Sequence, residues 1–162
     1  MNGRKFGNRK FFTLGSGVGS AEDYILAFDR ALRSAGFADY NLIKVSSILP
    51  AHSSLAKEIT LPKGSLLPIA YSEIHSNEEG KIIGSAVAVA IPEDEESIGV
   101  IMEVKGFERK EVLIRKAEEL CLKAMEDRGI KVKELISTGA DAEVKGGFVC
   151  VFSGVAIWES QE

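Results

Sequence analysis

Cysteine and histidine are nearly missing from this sequence: Cys121, Cys150, His52 and His75 are all that its 162 residues contain. Two thiols can build neither a thiolate metal site nor a disulfide framework. The histidines fall in no HxxxH or HxxEH spacing, so no metal-ligand set is visible and each reads as a surface or loop residue. The cysteines lie in segments that read as a helix and a strand, which makes them buried free thiols of a reducing compartment. Positive charge is not in excess either. Lys plus Arg is 20 against 24 for Asp plus Glu, a net charge of −4, with a pI near 5.4. That is the opposite of the basic footprint a phosphate backbone requires, so nucleic acid is excluded as a partner.

Long hydrophobic runs are absent as well. The basic start (Arg4, Lys5, Arg9, Lys10) leads only into Phe11, Phe12 and Leu14 before Gly15, too short an apolar core for a signal peptide. The most apolar stretch, Ile82 to Ile91, falls far short of the roughly 20 residues of a membrane helix. The expectation is a soluble cytoplasmic protein with no membrane partner. What is present is core material, 45% hydrophobic residues. A chain of this length buries about 68–70% of its unfolded surface, so one domain over 1–162 is expected and a two-domain enzyme is not.

A helical pattern begins at Ser20, with Asp23 as a weak capping box, and places Ile25, Phe28 and Leu32 on one face until Ser34, Ala35 and Gly36 end it. Asn41 to Leu49 reads as a strand stopped by Pro50, followed by an irregular stretch from Ala51 to Gly64. Leu66 to His75 and Lys81 to Ile91 read as strands joined by an exposed turn. The second scarcely alternates, so neither of its faces meets water. Ser97 to Val104 reads as a further buried strand. A long helix is expected from about Glu108 to Arg128, with Val112, Leu113, Ala117, Leu120, Cys121 and Ala124 inward and Gly129 as its stop. Lys131 to Val144, broken near Gly139, and Phe148 to Trp158 complete the set. The order predicts an α/β (α+β) layered sandwich of mixed, mainly antiparallel sheet with helices packed outside it.

Among motifs, Gly15, Gly17 and Gly19 resemble a dinucleotide fingerprint but meet Ser20 where it wants glycine, and no parallel βαβ unit follows. They read as a flexible turn before a helix. No GxSxG elbow supports a serine triad. Asp29 is odder, because helical spacing sets it on the apolar stripe of Ile25 and Leu32. It either sits at the margin of that stripe paired with a Lys or Arg, or faces a cleft as the anion for a cationic ligand. Glu103 ends the apolar run IGVIMEV. A carboxyl there either reaches water or is held protonated, as a general acid near neutrality must be. Ser46 and Ser47 interrupt an otherwise apolar strand and alone say little.

Together NLIKVSSILP at 41–50, KGSLLPIAY at 63–71, SAVAVAIPEDEESIGVIMEVKG at 85–106 and the late GVAIW resemble the pyruvoyl-dependent arginine decarboxylases, over about Ala27 to Trp158. The resemblance implies a proenzyme that cuts itself between Ser46 and Ser47 into a β chain of 1–46 and an α chain of 47–162. It further implies a covalent pyruvoyl group made from Ser47, with no pyridoxal phosphate and no metal. That group forms a Schiff base with the substrate amine and takes up the electrons released as carbon dioxide leaves. The implied reaction turns L-arginine into agmatine and carbon dioxide, a step toward polyamines. The resemblance places the proton donor at Glu103, a positioning asparagine at Asn41 and the carboxylate facing the guanidinium at Asp29, and it implies a homotrimer with sites between protomers. Two alternatives stand beside it: a pyruvoyl decarboxylase of another amino acid, such as histidine or lysine, and an uncut, non-catalytic ligand-binding relative.

Overall fold

Glycine at alternate positions is a packing feature, not a turn. The computed structural model describes residues 9–160, so Arg4 and Lys5 of the basic start lie outside the described residues. In it, Gly15, Gly17 and Gly19 sit inside one continuous strand, β1 (Lys10–Ala21). Their shared face is covered by α1 (Tyr24–Ala35). A Cβ on Gly15 would lie 2.2 Å from the Ala35 carbonyl oxygen, and one on Gly19 would lie 2.3 Å from that of Ala27. Only hydrogen fits between strand and helix at these points. The expected turn is therefore corrected to a strand, and Ser20 belongs to it; Asp23 precedes α1 without a side-chain capping bond.

The chain continues through β2 (Asn41–Lys44), β3 (Ile48–Leu49), β4 (Ser53–Leu55), β5 (Leu66–Ser76), β6 (Ile82–Pro92), β7 (Gly99–Gly106), α2 (Lys110–Asp127), β8 (Val132–Glu143) and β9 (Phe148–Glu159). One sheet has the order β2-β5-β9-β1-β4 and the other β3-β7-β6-β8. The first is mixed, parallel at its two outer pairs and antiparallel within; the second is wholly antiparallel. With α1 outside the first sheet and α2 outside the second, the layers run helix, sheet, sheet, helix, the architecture expected from the element order.

Three apolar layers hold this together. Ala27, Ala31, Leu32, Phe37, Ile69 and Phe152 fill the space between α1 and the first sheet. Phe12, Ala70, Val87, Val89, Ile101 and Val155 lie between the sheets. Ala88, Ala90, Val100, Ala117, Cys121 and Met125 seal α2 to the second sheet. The failure of β6 to alternate follows at once: its valines face the other sheet and its alanines face the helix. Each such fully buried Val, Leu, Ile or Phe contributes about 1.5–3 kcal/mol. Three serines of the middle layer satisfy one another. The Ser72 and Ser85 hydroxyls lie 2.5 Å apart, and Ser153 Oγ donates to the Ser85 carbonyl at 2.8 Å.

The structure corrects several other sequence expectations. The irregular stretch 51–64 contains β4, which pairs parallel to β1. β8 runs unbroken through Gly139, where a Cβ would press on Ile114 of α2 at 3.0 Å, so that glycine serves helix packing. On α2 the buried line is Leu113, Ala117, Cys121 and Met125, and Val112 is exposed. On α1 it is Ala27, Ala31 and Leu32, whereas Ile25 is 78% exposed. Both cysteines are buried free thiols, as expected.

Candidate active site

The expected single strand 41–49 is broken where its two serines stand. β2 ends at Lys44, paired with β5 of the first sheet, and β3 begins at Ile48, paired with β7 of the second. Residues 45–47 are the crossing between sheets. The Val45 N–H donates to the Ile69 carbonyl at 3.0 Å on one side, and the Ser47 carbonyl accepts from the Ile101 N–H at 2.7 Å on the other. Ser46, between these anchors, makes no backbone hydrogen bond among the described residues and is exposed, while Ser47 is half-buried. A polar pair suits this crossing because the strand ladders on either side leave its backbone to find other partners. The left-handed backbone nearby falls not at the serines but at His52, with φ 62°, in the turn after Pro50.

Glu103 is carried to the same place by β7. Met102 and Val104 turn toward α2 and Ile101 toward the other sheet. Strand alternation therefore sets Glu103 on the inter-sheet face, two residues from the Ile101 amide that holds Ser47. Its Oε2 is buried and, among the described residues, has no hydrogen-bond partner. Burial raises its pKa above the ordinary carboxylate value, and the Lys44 charge pulls the other way. Of the two readings of this residue, the structure favours a carboxyl inclined to keep its proton.

Asn41 begins β2. Its Nδ2 donates to the Gly64 carbonyl at 2.9 Å and its backbone N–H to that of Ser65 at 2.9 Å. It pins the turn entering β5 to the strand that leads to the serines.

Asp29 is the residue the structure does not bring to this place. It lies on the exposed face of α1, not on the buried stripe, because the glycine row draws Ala27 and Ala31 inward. It makes no ion pair with a Lys or Arg among the described residues. With Asp23, Tyr24, Ile25 and Leu26 it lines a hollow of about 650 Å³ that contains none of Asn41, Ser46, Ser47 or Glu103. A second hollow, of about 590 Å³, opens beyond Leu49 and is lined by His52, Glu93, Glu95 and Glu134 among others; it also contains none of them.

Three further residues take part that sequence reasoning did not single out as functional: Lys44, Glu73 and His75. Lys44 is the cation acting on Glu103, and its only signal was adjacency to the serines. Glu73 and His75 alternate on β5 and form a pair at 2.7 Å, with Cys150 Sγ donating to Glu73 Oε1 at 3.3 Å. Their spacing at i and i+2 placed them on one face of a strand. No cluster of three or more His, Cys, Asp or Glu that could hold a metal occurs among the described residues.

The chain's sequence matches the family model described as pyruvoyl-dependent arginine decarboxylase over residues 10–161. It is 36% identical over 146 residues to a pyruvoyl-dependent arginine decarboxylase of Methanococcus aeolicus, covering 90% of this chain and 88% of that protein. It is 34% identical over 146 residues, with the same two shares, to the one of Methanocaldococcus jannaschii. Identity to the one of Pyrococcus furiosus is 38% over 125 residues, 74% of this chain and 76% of that protein. Among solved structures, a pyruvoyl-dependent histidine decarboxylase at pH 8 covers 65% of this chain and 55% of its own at 12% identity and a TM-score of 0.47.

Proposed function

The chain belongs to the pyruvoyl-dependent arginine decarboxylase family, and from that premise we propose how its own residues carry out the reaction. The protein is an enzyme that decarboxylates arginine by means of a pyruvoyl group. The residues fit such a group: Ser47 offers a β-hydroxyl directly after the carbonyl of Ser46, which no backbone bond among the described residues ties down, and the next strand, β7, carries a carboxyl with a buried, unpartnered Oε2. The Ser47 hydroxyl attacks the Ser46 carbonyl carbon, and the peptide becomes an ester. Loss of the Ser47 α-proton then expels the Ser46 carboxylate and leaves dehydroalanine. Water adds and ammonia departs, leaving a ketone at residue 47.

Residues 1–46 and 47–162 form one domain before and after the cut. β2 remains in the first sheet and β3 in the second, so the two sheets that the crossing joins keep each half in place. When formed, the pyruvoyl group supplies a carbonyl that captures the substrate amine and accepts the electron pair left by carbon dioxide.

Glu103 then delivers a proton to the α-carbon. Its burial favours the protonated form that a general acid needs. Asn41 fixes the approach of β2 through the Gly64 carbonyl and so orients the crossing. Asp29 faces the guanidinium, a planar fork that suits a carboxylate. Since the Asp29 hollow contains none of the other site residues, this assignment needs a second copy to bring them together. It supports a homotrimer whose sites lie between protomers, with Ile25 and Leu26 of α1, 78% and 45% exposed, toward the neighbour. The buried free thiols Cys121 and Cys150 support a cytoplasmic setting. No helix of the described residues is long and apolar enough to cross a membrane.

The observation that carries this reading is the Ser47 carbonyl held by the Ile101 N–H at 2.7 Å, two residues along β7 from the buried Oε2 of Glu103. Intact mass under denaturing conditions, with an assay of agmatine formation across a panel of amino acids, tests it. Two fragments, a ketone on the larger and a preference for arginine are expected. A single unbroken 17.5 kDa chain in active material would overturn it.

A further inference from the structure

Tyr24 opens α1 and lines the same hollow as Asp29. Its ring is not loose. It rests on the His75 imidazole with centroids 3.9 Å apart, and Phe28 and Phe148 stand at 6.2 and 6.3 Å. His75 is held in turn, with Nδ1 2.7 Å from Glu73 Oε1, and Glu73 also accepts from Cys150 at 3.3 Å. A ring locked by this chain of contacts keeps one orientation, and it lines one hollow with the Asp29 carboxylate; an anion and a fixed π-face in one hollow are the two groups that recognise a guanidinium. Burial and the Glu73 carboxylate push the Tyr24 hydroxyl up to about 12, so the ring stays a neutral phenol across the working range.

We propose that Tyr24, propped on His75 and Glu73, is a specificity-determining residue that reads the substrate's guanidinium together with Asp29. This rests on the assignment of Asp29 to the guanidinium made above. Tyr24 contributes the face that an ammonium at the end of a shorter or more flexible stem uses less well, so it separates arginine from lysine. Glu73 and His75 act by fixing the ring, His75 through its face and Glu73 through His75 Nδ1.

Steady-state kinetics on the processed enzyme test the proposal with Tyr24→Leu, Tyr24→Phe and Asp29→Asn, each with arginine as substrate and agmatine as inhibitor. Tyr24→Leu is expected to raise KM for arginine and the inhibition constant of agmatine by about 3- to 30-fold while kcat stays within about twofold. Tyr24→Phe, which keeps the π-face, is expected to stay within about twofold in all three. The role of Tyr24 is overturned if Tyr24→Leu leaves KM unmoved while Asp29→Asn raises it, or if it lowers kcat without moving KM. Equal loss in Tyr24→Phe would assign the effect to the hydroxyl and overturn the stacking role. If neither Tyr24→Leu nor Asp29→Asn moves KM, the guanidinium is not read from α1 at all, and the assignment of Asp29 falls with the proposal.

Discussion

Gly19→Ala tests the link between the core and the substrate site. The added Cβ would meet two backbone atoms of α1, the Ala27 carbonyl oxygen and the Ala31 nitrogen, each at 2.3 Å, and neither belongs to a flexible side chain that can swing away. Ordinary contact begins near 3.4 Å, so helix and strand must part by about 1 Å in a core that packs like a crystal. A gap of that size forfeits roughly a quarter to a half of the dispersion attraction across it. It falls between the strand and Ala27, Ala31 and Leu32. Overpacking of this kind costs about 1–3 kcal/mol, which for a chain of this length lowers the thermal midpoint by about 2–12 °C. Because the displaced helix carries Tyr24 and Asp29, KM for arginine is expected to rise with kcat largely kept. The double variant Gly17→Ala/Gly19→Ala should cost less than the two singles together, since one displacement of α1 relieves both clashes. Thermal unfolding at a fixed protein concentration is the assay. A midpoint within 1 °C of wild type would show that α1 does not lean on the glycine row.

Further outcomes are expected. Ser47→Ala leaves the chain whole by denaturing mass and without decarboxylase activity; activity in that variant would remove the proposed source of the cofactor. Glu103→Gln permits cutting and lowers turnover by about 10²-fold or more. In the parent, turnover falls as pH rises through the raised pKa of Glu103, because only the protonated form donates, and the variant lacks that limb. The same sign holds for stability. A carboxyl whose folded pKa is raised contributes stability that is fully present below its unfolded pKa and is lost as pH rises through the folded one, so the parent's advantage over Glu103→Gln should shrink with rising pH, as denaturant midpoints would show. Finally, co-expressing Asp29→Asn and Ser47→Ala chains should yield assemblies in which some sites hold both intact residues and turn over at low arginine; no recovery would place the two residues of a site in one protomer.

The sequence revealed layers more readily than phases. β6 is legible as a strand buried on both faces because valine and alanine alternate from Ala86 to Ala90 with no polar residue among them. The phase of α1 is not, and its error has one cause. Spacing alone puts Ile25, Phe28 and Leu32 on a stripe, with Asp29 among them. Three glycines beneath the helix let it approach so closely that alanine alone fits at the contact, so Ala27 and Ala31 take the inward positions and Ile25 turns out. A helix read in isolation cannot show what lies under it. The same approach turns Asp29 outward and leaves it away from Ser47 and Glu103, and a reader who trusted the stripe would have buried a charge at a cost of several kcal/mol. The serine pair was legible as a polar break in an apolar strand, but its meaning is topological: the chain changes sheets there, and no local pattern records that β2 and β3 pair with different partners. Glu103 is legible as a carboxyl in apolar company, and burial of that carboxyl raises its pKa. The glycine row that hid the orientation of Asp29 is therefore also what makes a substrate site between copies geometrically reasonable. By drawing the small residues in, it presents a carboxylate and two large aliphatic side chains on the outer face of one helix, with the half-buried Tyr24 ring at the helix start.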